Sequence, residues 1–200
     1  LMPVFPTAYF PSICYIQKLI HFGDIEIDLG EHYIKQTIRN RCELLTSNGV
    51  LKLSIPLVHD KTKKLGTQEM EIDYSQRWQS IHWRAITSAY ASSPYFDDYA
   101  LEIKTLIEQE DTFLYSKNQA ILEKIIELLA LPIQIHYSTS YVEEDLHDFR
   151  SYDFLQRESL SINYQQVFGY DQAFTDNLSS LDLLFNEGPM ARTLLLNGRK

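Results

Sequence analysis

The residues with the clearest chemical potential lie between Lys35 and Val58, in Lys-Gln-Thr-Ile-Arg-Asn-Arg-Cys-Glu-Leu-Leu-Thr-Ser-Asn-Gly-Val-Leu-Lys-Leu-Ser-Ile-Pro-Leu-Val. Read as a strand, its first arm puts Arg39, Arg41, Glu43 and Leu45 on one face and Cys42 and Leu44 on the other. Two guanidinium groups two residues apart on a strand face can converge on one carboxylate or phosphate. Lys35 precedes them, and the lysines at 61, 63 and 64 sit in a polar loop after the second arm. The expectation is an anion site lined by Arg39 and Arg41, with Lys35 and the 61–64 loop at its rim and Asn40 turned to the core. Glu43, or a carboxylate from Glu26, Asp28 or Glu31, could instead neutralise the arginines, and that alternative stays open.

Other candidates are weaker. His82 lies on an apolar helical stripe, so it is a catalytic candidate only against the commoner outcome, a core histidine held by one hydrogen bond. Cys42 has basic neighbours that would lower an exposed thiol, but alternation turns it inward as an inert side chain. The six histidines show no metal-ligand spacing, so no metal is assigned, and nothing names a cofactor. Glu143, Glu144, Asp145 and Asp148 read as a solvated acidic run. A phosphate loop, Gly-x-Gly-x-x-Gly, Gly-x-Ser-x-Gly and His-Glu-x-x-His are all lacking, which disfavours nucleotide hydrolysis, dinucleotide redox chemistry, the usual α/β-hydrolase and zincin chemistry.

The elements that must position these residues follow from periodicity. Ser-Asn-Gly at 47–49 joins two alternating arms into a hairpin. Ile13 to Phe22 has helical spacing, with Ser12 as cap and Gly23 as stop. Asp24 to Gly30 alternates as a strand, with Ile25, Ile27 and Leu29 inward and its acids outward. Met70 and Ile72 suggest a short strand. Helices are expected at 78–92, 95–109 and 117–131, the last capped at Ser116 with Gln119 at capping-box spacing. A strand at 133–137, a possible strand at 161–168 ended by Gly169, and a helix capped by Ser179 and stopped by Gly188-Pro189 complete the chain. Its tail after Met190 should fray, although Leu194 to Leu196 could dock on the core. Strand runs interrupted by helix runs imply a mixed α/β fold, one domain over residues 1–200, with the hairpin in a mixed sheet and the three helices packed on it.

Composition narrows the class further. An apolar fraction of 44% and 13 Tyr with 10 Phe belong to a folded globule, and the net charge of -9 argues against a protein that coats nucleic-acid phosphates. Two cysteines are too few for a disulfide framework, and no apolar run reaches membrane-spanning length. A cytoplasmic protein without a membrane span is expected.

Tyr9-Phe-Pro-Ser-Ile-Cys-Tyr-Ile-Gln-Lys-Leu19, Ile38-Arg-Asn-Arg-Cys42, Leu53-Ser-Ile-Pro56, Trp78 with His82-Trp83, Ala89-Tyr90, Ser93-Pro-Tyr-Phe96 and Leu178 to Asn186 occur in the order that resembles the WbqC-like family. The resemblance implies a cytoplasmic bacterial protein of a family named from O-antigen gene clusters. Many members begin with His-Gln-Pro where this chain has Phe5, Pro6 and Thr7. Two function classes follow. One is a transferase or modifying enzyme of surface-polysaccharide precursors, with the cations beside a concave pocket holding His82 or a tyrosine and an anionic small-molecule ligand. The other is a non-catalytic binding or assembly module, with a flat surface and paired arginines. Tyr137, Tyr141, Phe149, Tyr152 and Phe154 make 138–157 either a contact with another subunit, as in a homo-oligomer, or with an unknown partner, or a segment packed on its own helices.

Overall fold

A computed structural model of the chain describes residues 2–58, 65–143, 147–157, 160–168 and 173–198. The first strand, β1 (Val4–Phe5), leads into α1 (Ile13–Phe22), which returns the chain to β2 (Asp24–Asp28). Ser12 accepts from the Tyr15 amide at the start of α1, and Gly23 ends it with φ of 76°. The next elements are the hairpin strands β3 (Arg41–Thr46) and β4 (Gly49–Ser54), then α2 (Trp78–Tyr90), α3 (Phe96–Glu108) and α4 (Leu114–Leu128). The chain finishes with β5 (Gln134–Ser138), α5 (Ser180–Glu187) and α6 (Met190–Asn197).

The fold is mixed α/β, with pairing of both senses. Strands run β1-β2-β5, all parallel, while β3 and β4 pair antiparallel in a sheet of their own. The hairpin register, Arg41 opposite Ser54 through Thr46 opposite Gly49, leaves Ser47 and Asn48 as the loop, and Gly49 takes φ of 98°. Buried side chains from Phe5 to Leu195 form one contiguous hydrophobic cluster.

Several expectations change in physical detail. The cationic arm is not a strand before Arg41: residues 35–40 turn, with Gln36 at φ of 62°, so Arg39 and Arg41 do not share a strand face. Asp28 does not face solvent with the other β2 acids; it is fully buried. In 161–168 the alternation is real, since Ile162, Tyr164 and Gln166 are buried, but the segment pairs with no strand among the described residues; its proposed stop, Gly169, lies outside them. The tail after Met190 is helical and docks Ala191 and Leu195 into the core.

Helix α4 also starts earlier than its capping pattern suggests. Phe113 bridges to Glu71 and the Leu114 amide donates to Met70 O, so tertiary pairing sets the helix start and Ser116 falls inside the first turn. The Met70–Ile72 segment forms only isolated bridges. Lys117, fully buried, donates to Leu106 O at 2.7 Å and to Gln109 O and pairs with Asp111 at 2.7 Å, clamping the α3–α4 turn. Burial lowers its ammonium pKa, and Asp111 opposes that shift. Removing it would leave a buried carboxylate and two carbonyls without their donor. Lys117→Ala is therefore expected to cost about 3–5 kcal/mol, read from the urea midpoint at unchanged slope.

Candidate functional site

Residues 33–41 and the segment 55–57 that follows β4 build a hollow of about 170 Å³ lined by Tyr33, Lys35, Gln36, Asn40, Arg41, Ile55, Pro56 and Leu57. Asn40 joins its two sides, since its backbone carbonyl accepts from the Ile55 amide and its side-chain Nδ2 donates to Ile55 O at 3.0 Å. These bonds extend the hairpin pairing by one residue and hold Arg41 beside Ile55. Asn40 is thus half-buried at the hollow, with its Oδ1 buried and unpartnered.

The structure separates the two arginines. Arg39 is 1% exposed, and its Nε and Nη2 engage Glu31 at 2.7 and 2.5 Å, while Nη1 reaches Thr37 and Nη2 also donates to Arg150 O. Its guanidinium is spent inside the protein and does not line the hollow. Glu43 pairs with Arg157 and Lys52 instead. Burial pushes the Glu31 carboxyl up, and the Arg39 hydrogen bonds and charge pull it back in part. Arg41, by contrast, has no carboxylate partner among the described residues, and its buried Nε has no hydrogen bond. Lys35, exposed at the same hollow, has no such partner either. Two of the three basic residues singled out from sequence are therefore brought together, and the third is their buried support. The 61–64 loop lies outside the described residues, as do Glu144 and Asp145 of the acidic run.

Among the described residues, Tyr33 is the one further titratable group on this wall. Burial raises its phenol pKa, and the Arg39 and Arg41 charges only partly oppose the shift, so it stays a neutral hydroxyl at physiological pH. Sequence reading missed it, although its place two residues before Lys35 in an extended segment was the available signal.

His82 is elsewhere, 3% exposed in the core between Tyr9 and Trp78. Its Nδ1 lies 2.8 Å from the Tyr9 hydroxyl, and the ring also hydrogen-bonds the Ser54 backbone. Burial pulls the imidazole pKa down to about 4. A neutral ring with Nδ1 accepting from Tyr9 fits those contacts. Cys42 is buried, and its thiol is pushed up by burial first and by Glu43 second, the reverse of a reactive cysteine.

A second hollow, of about 200 Å³, is lined by Glu31, His32, Ile34, Tyr141, Asp148, Arg150 and Ser151. Arg150 holds Asp28 and Asp148, each at 2.5 Å. Among the described residues no group of three His, Cys, Asp or Glu side chains is placed to hold a metal ion, and no helix is long and apolar enough to cross a membrane. Of the aromatic residues in the irregular segment, Phe154 is buried, Phe149 stacks on Phe5 with centroids 4.7 Å apart, and Tyr137 and Tyr152 pack against the core. Only Tyr141 among these five is exposed.

These features describe an α/β protein with a cationic surface hollow supported by a buried ion-pair network. The chain belongs to the WbqC-like protein family, whose sequence profile matches residues 7–159. The profile covers both hollows, whereas the Leu178 to Asn186 segment falls beyond it. No curated protein and no solved structure matches the chain.

The His82 environment sets a pH dependence with a definite sign. The unfolded imidazole takes a proton near 6.5, the native one only near 4, so between these values the unfolded chain binds more protons. Stability is full above about pH 6.5 and is lost as pH falls toward 4, by about 3 kcal/mol from this group. In His82→Phe, unfolding free energies between pH 4 and 6.5 should lose that part of their slope, whatever the variant's absolute stability.

Proposed function

We propose that the protein binds an anionic small molecule through Arg41 and Lys35. The observation that carries this reading is the pairing, in one hollow, of two cations that have no carboxylate partner among the described residues. Separating a guanidinium from counter-charge costs free energy, and a phosphate or carboxylate ligand offsets that cost through charge-assisted hydrogen bonds of about 1.5–3 kcal/mol each. Tyr33, neutral and beside Arg41, adds a hydroxyl that can donate to a bound oxyanion. Ile55, Pro56 and Leu57 give the hollow an apolar wall that excludes water from one side of the ligand.

The enzyme form of this reading is a cytoplasmic transferase or modifying enzyme that acts on an anionic activated precursor in bacterial surface-polysaccharide, or O-antigen, biosynthesis. Its support is the family's context together with a concave cationic hollow containing a tyrosine. Tyr33, Lys35 and Arg41 would contribute positioning and charge neutralisation, the terms that dominate when a phosphoryl-bearing group is handled. His82, buried against Tyr9, has no part in it. The alternative is a non-catalytic ligand-binding module that uses the same contacts.

A thermal-shift series with pyrophosphate, citrate and sugar nucleotides tests the binding reading, because a ligand bound only by the native state raises stability with concentration. At least one of these anions should stabilise the protein saturably. Arg41→Lys should weaken that binding about tenfold or more, since lysine keeps the charge and loses the fork, and Lys35→Ala should weaken it less. Equal affinity in the parent and both variants would remove this hollow as the anion site.

A further inference from the structure

Tyr141 is an exposed aromatic that the protein has gone to unusual lengths to hold still. It sits in a segment without regular structure and is 54% exposed, yet its backbone is fixed on both sides. Gly30 packs so closely that a Cβ there would lie 2.2 Å from the Tyr141 amide nitrogen. The next residue, Val142, donates its amide to Asp28 and accepts from Arg150 Nη1 at 2.8 Å. The ring lies against the Arg150 guanidinium, 4.4 Å from its centroid, and Arg150 is itself clamped by Asp28 and Asp148. A side chain that only needed to reach water would not require such support, whereas a stacking platform does, because ordering the ring beforehand removes that entropy from the binding step.

We propose that the hollow of about 200 Å³ beside Tyr141 binds a neutral hydroxyl-rich ring, a saccharide unit, with its C–H face against the tyrosine. The size suits one six-membered ring, since a cavity of about 150 Å³ takes benzene. Ile34, 44% exposed, extends the apolar floor. The rim is polar: Asp148 keeps 18% of its side chain in solvent, and Ser151 and His32 are exposed. The Asp148 oxygens are taken up by four hydrogen bonds from the Arg150 amide and guanidinium, so the Ser151 hydroxyl and the His32 ring are the rim groups open to ligand hydroxyls.

Charge selects against the alternatives. Asp28, Glu31 and Asp148 face Arg39 and Arg150, which leaves the network one negative charge in excess, so a phosphate or carboxylate is disfavoured here. This site shares no lining residue with the Arg41 hollow and does not depend on the anion reading.

Saturation-transfer NMR with glucose, galactose and N-acetylglucosamine at tens of millimolar tests it on the full chain. At least one sugar should receive transfer that saturates, strongest at its ring C–H protons, and Tyr141→Ala should weaken it about tenfold while Tyr141→Trp retains it. Urea denaturation of Tyr141→Ala should show a folded protein, since Arg150 keeps its carboxylate partners. Absence of binding by all three sugars, binding that Tyr141→Ala leaves unchanged, or a Tyr141-dependent self-association with no sugar binding would each overturn the proposal.

Discussion

A charge placed inside a protein must be paired, and in this chain that constraint organises the region on which function is proposed. Arg39 and Glu31 meet in the interior, Arg150 holds Asp28 and Asp148, and Arg39 Nη2 reaches Arg150 O at 2.9 Å to join the two groups. The neighbouring segments 28–31 and 37–41 are thereby locked to Val142, Asp148 and Arg150, the last 111 residues beyond Arg39. Burying such a network offers little net stability compared with a well-packed apolar cluster, but breaking one member strands the others. Its value here is positional. Every segment that it fixes contributes a residue to one hollow or the other.

The same accounting divides the basic residues by role. Arg39 is consumed because Glu31 presents a planar carboxylate to its fork, which a lysine could not match bidentately. Arg41 sits two residues later at the start of β3, half-buried, where no described carboxylate reaches it. The extended run from His32 to Ile34 performs an analogous division, since alternate side chains go to opposite sides: Tyr33 to the cationic hollow, His32 and Ile34 to the one beside Tyr141. The segment held by the Tyr33 amide to Leu65 O and the Thr67 amide to Glu31 O thus contributes wall residues to two hollows of different electrostatic character.

Local signals in the sequence read well where local physics decides. The Ser12 and Ser179 caps, the Gly23 stop, the hairpin loop at 47–48 and the apolar stripes of α2 and α3 all depend on neighbours within a few residues. What failed depended on partners distant in the chain. Asp28 looks like a solvent-facing acid in an alternating strand until Arg150, 122 residues away, is brought against it. Parallel pairing of β1, β2 and β5 has no turn signature, and β1 is too short to show a period. Arg39 and Arg41 were legible as an unusual cationic pair, but assigning one to structure and the other to a surface required knowing that the chain turns at Gln36. His82 was placed correctly on a buried stripe, and its Tyr9 partner, 73 residues earlier, accounts for a polar ring in the core.

The overall charge sharpens the meaning of the Arg41 hollow. A chain carrying -9 repels an anion at long range, so steering cannot deliver such a ligand. At physiological ionic strength, however, that repulsion is screened beyond about 8 Å, whereas a contact at hydrogen-bond distance is hardly screened at all. Recognition of the proposed anion would therefore be short-ranged, made by the fork of Arg41 and the hydroxyl of Tyr33 rather than by a diffuse basic field. Short-range recognition in turn demands fixed geometry. That geometry is supplied from below, because the buried pairing of Arg39 holds the turn that presents Lys35, Asn40 and Arg41.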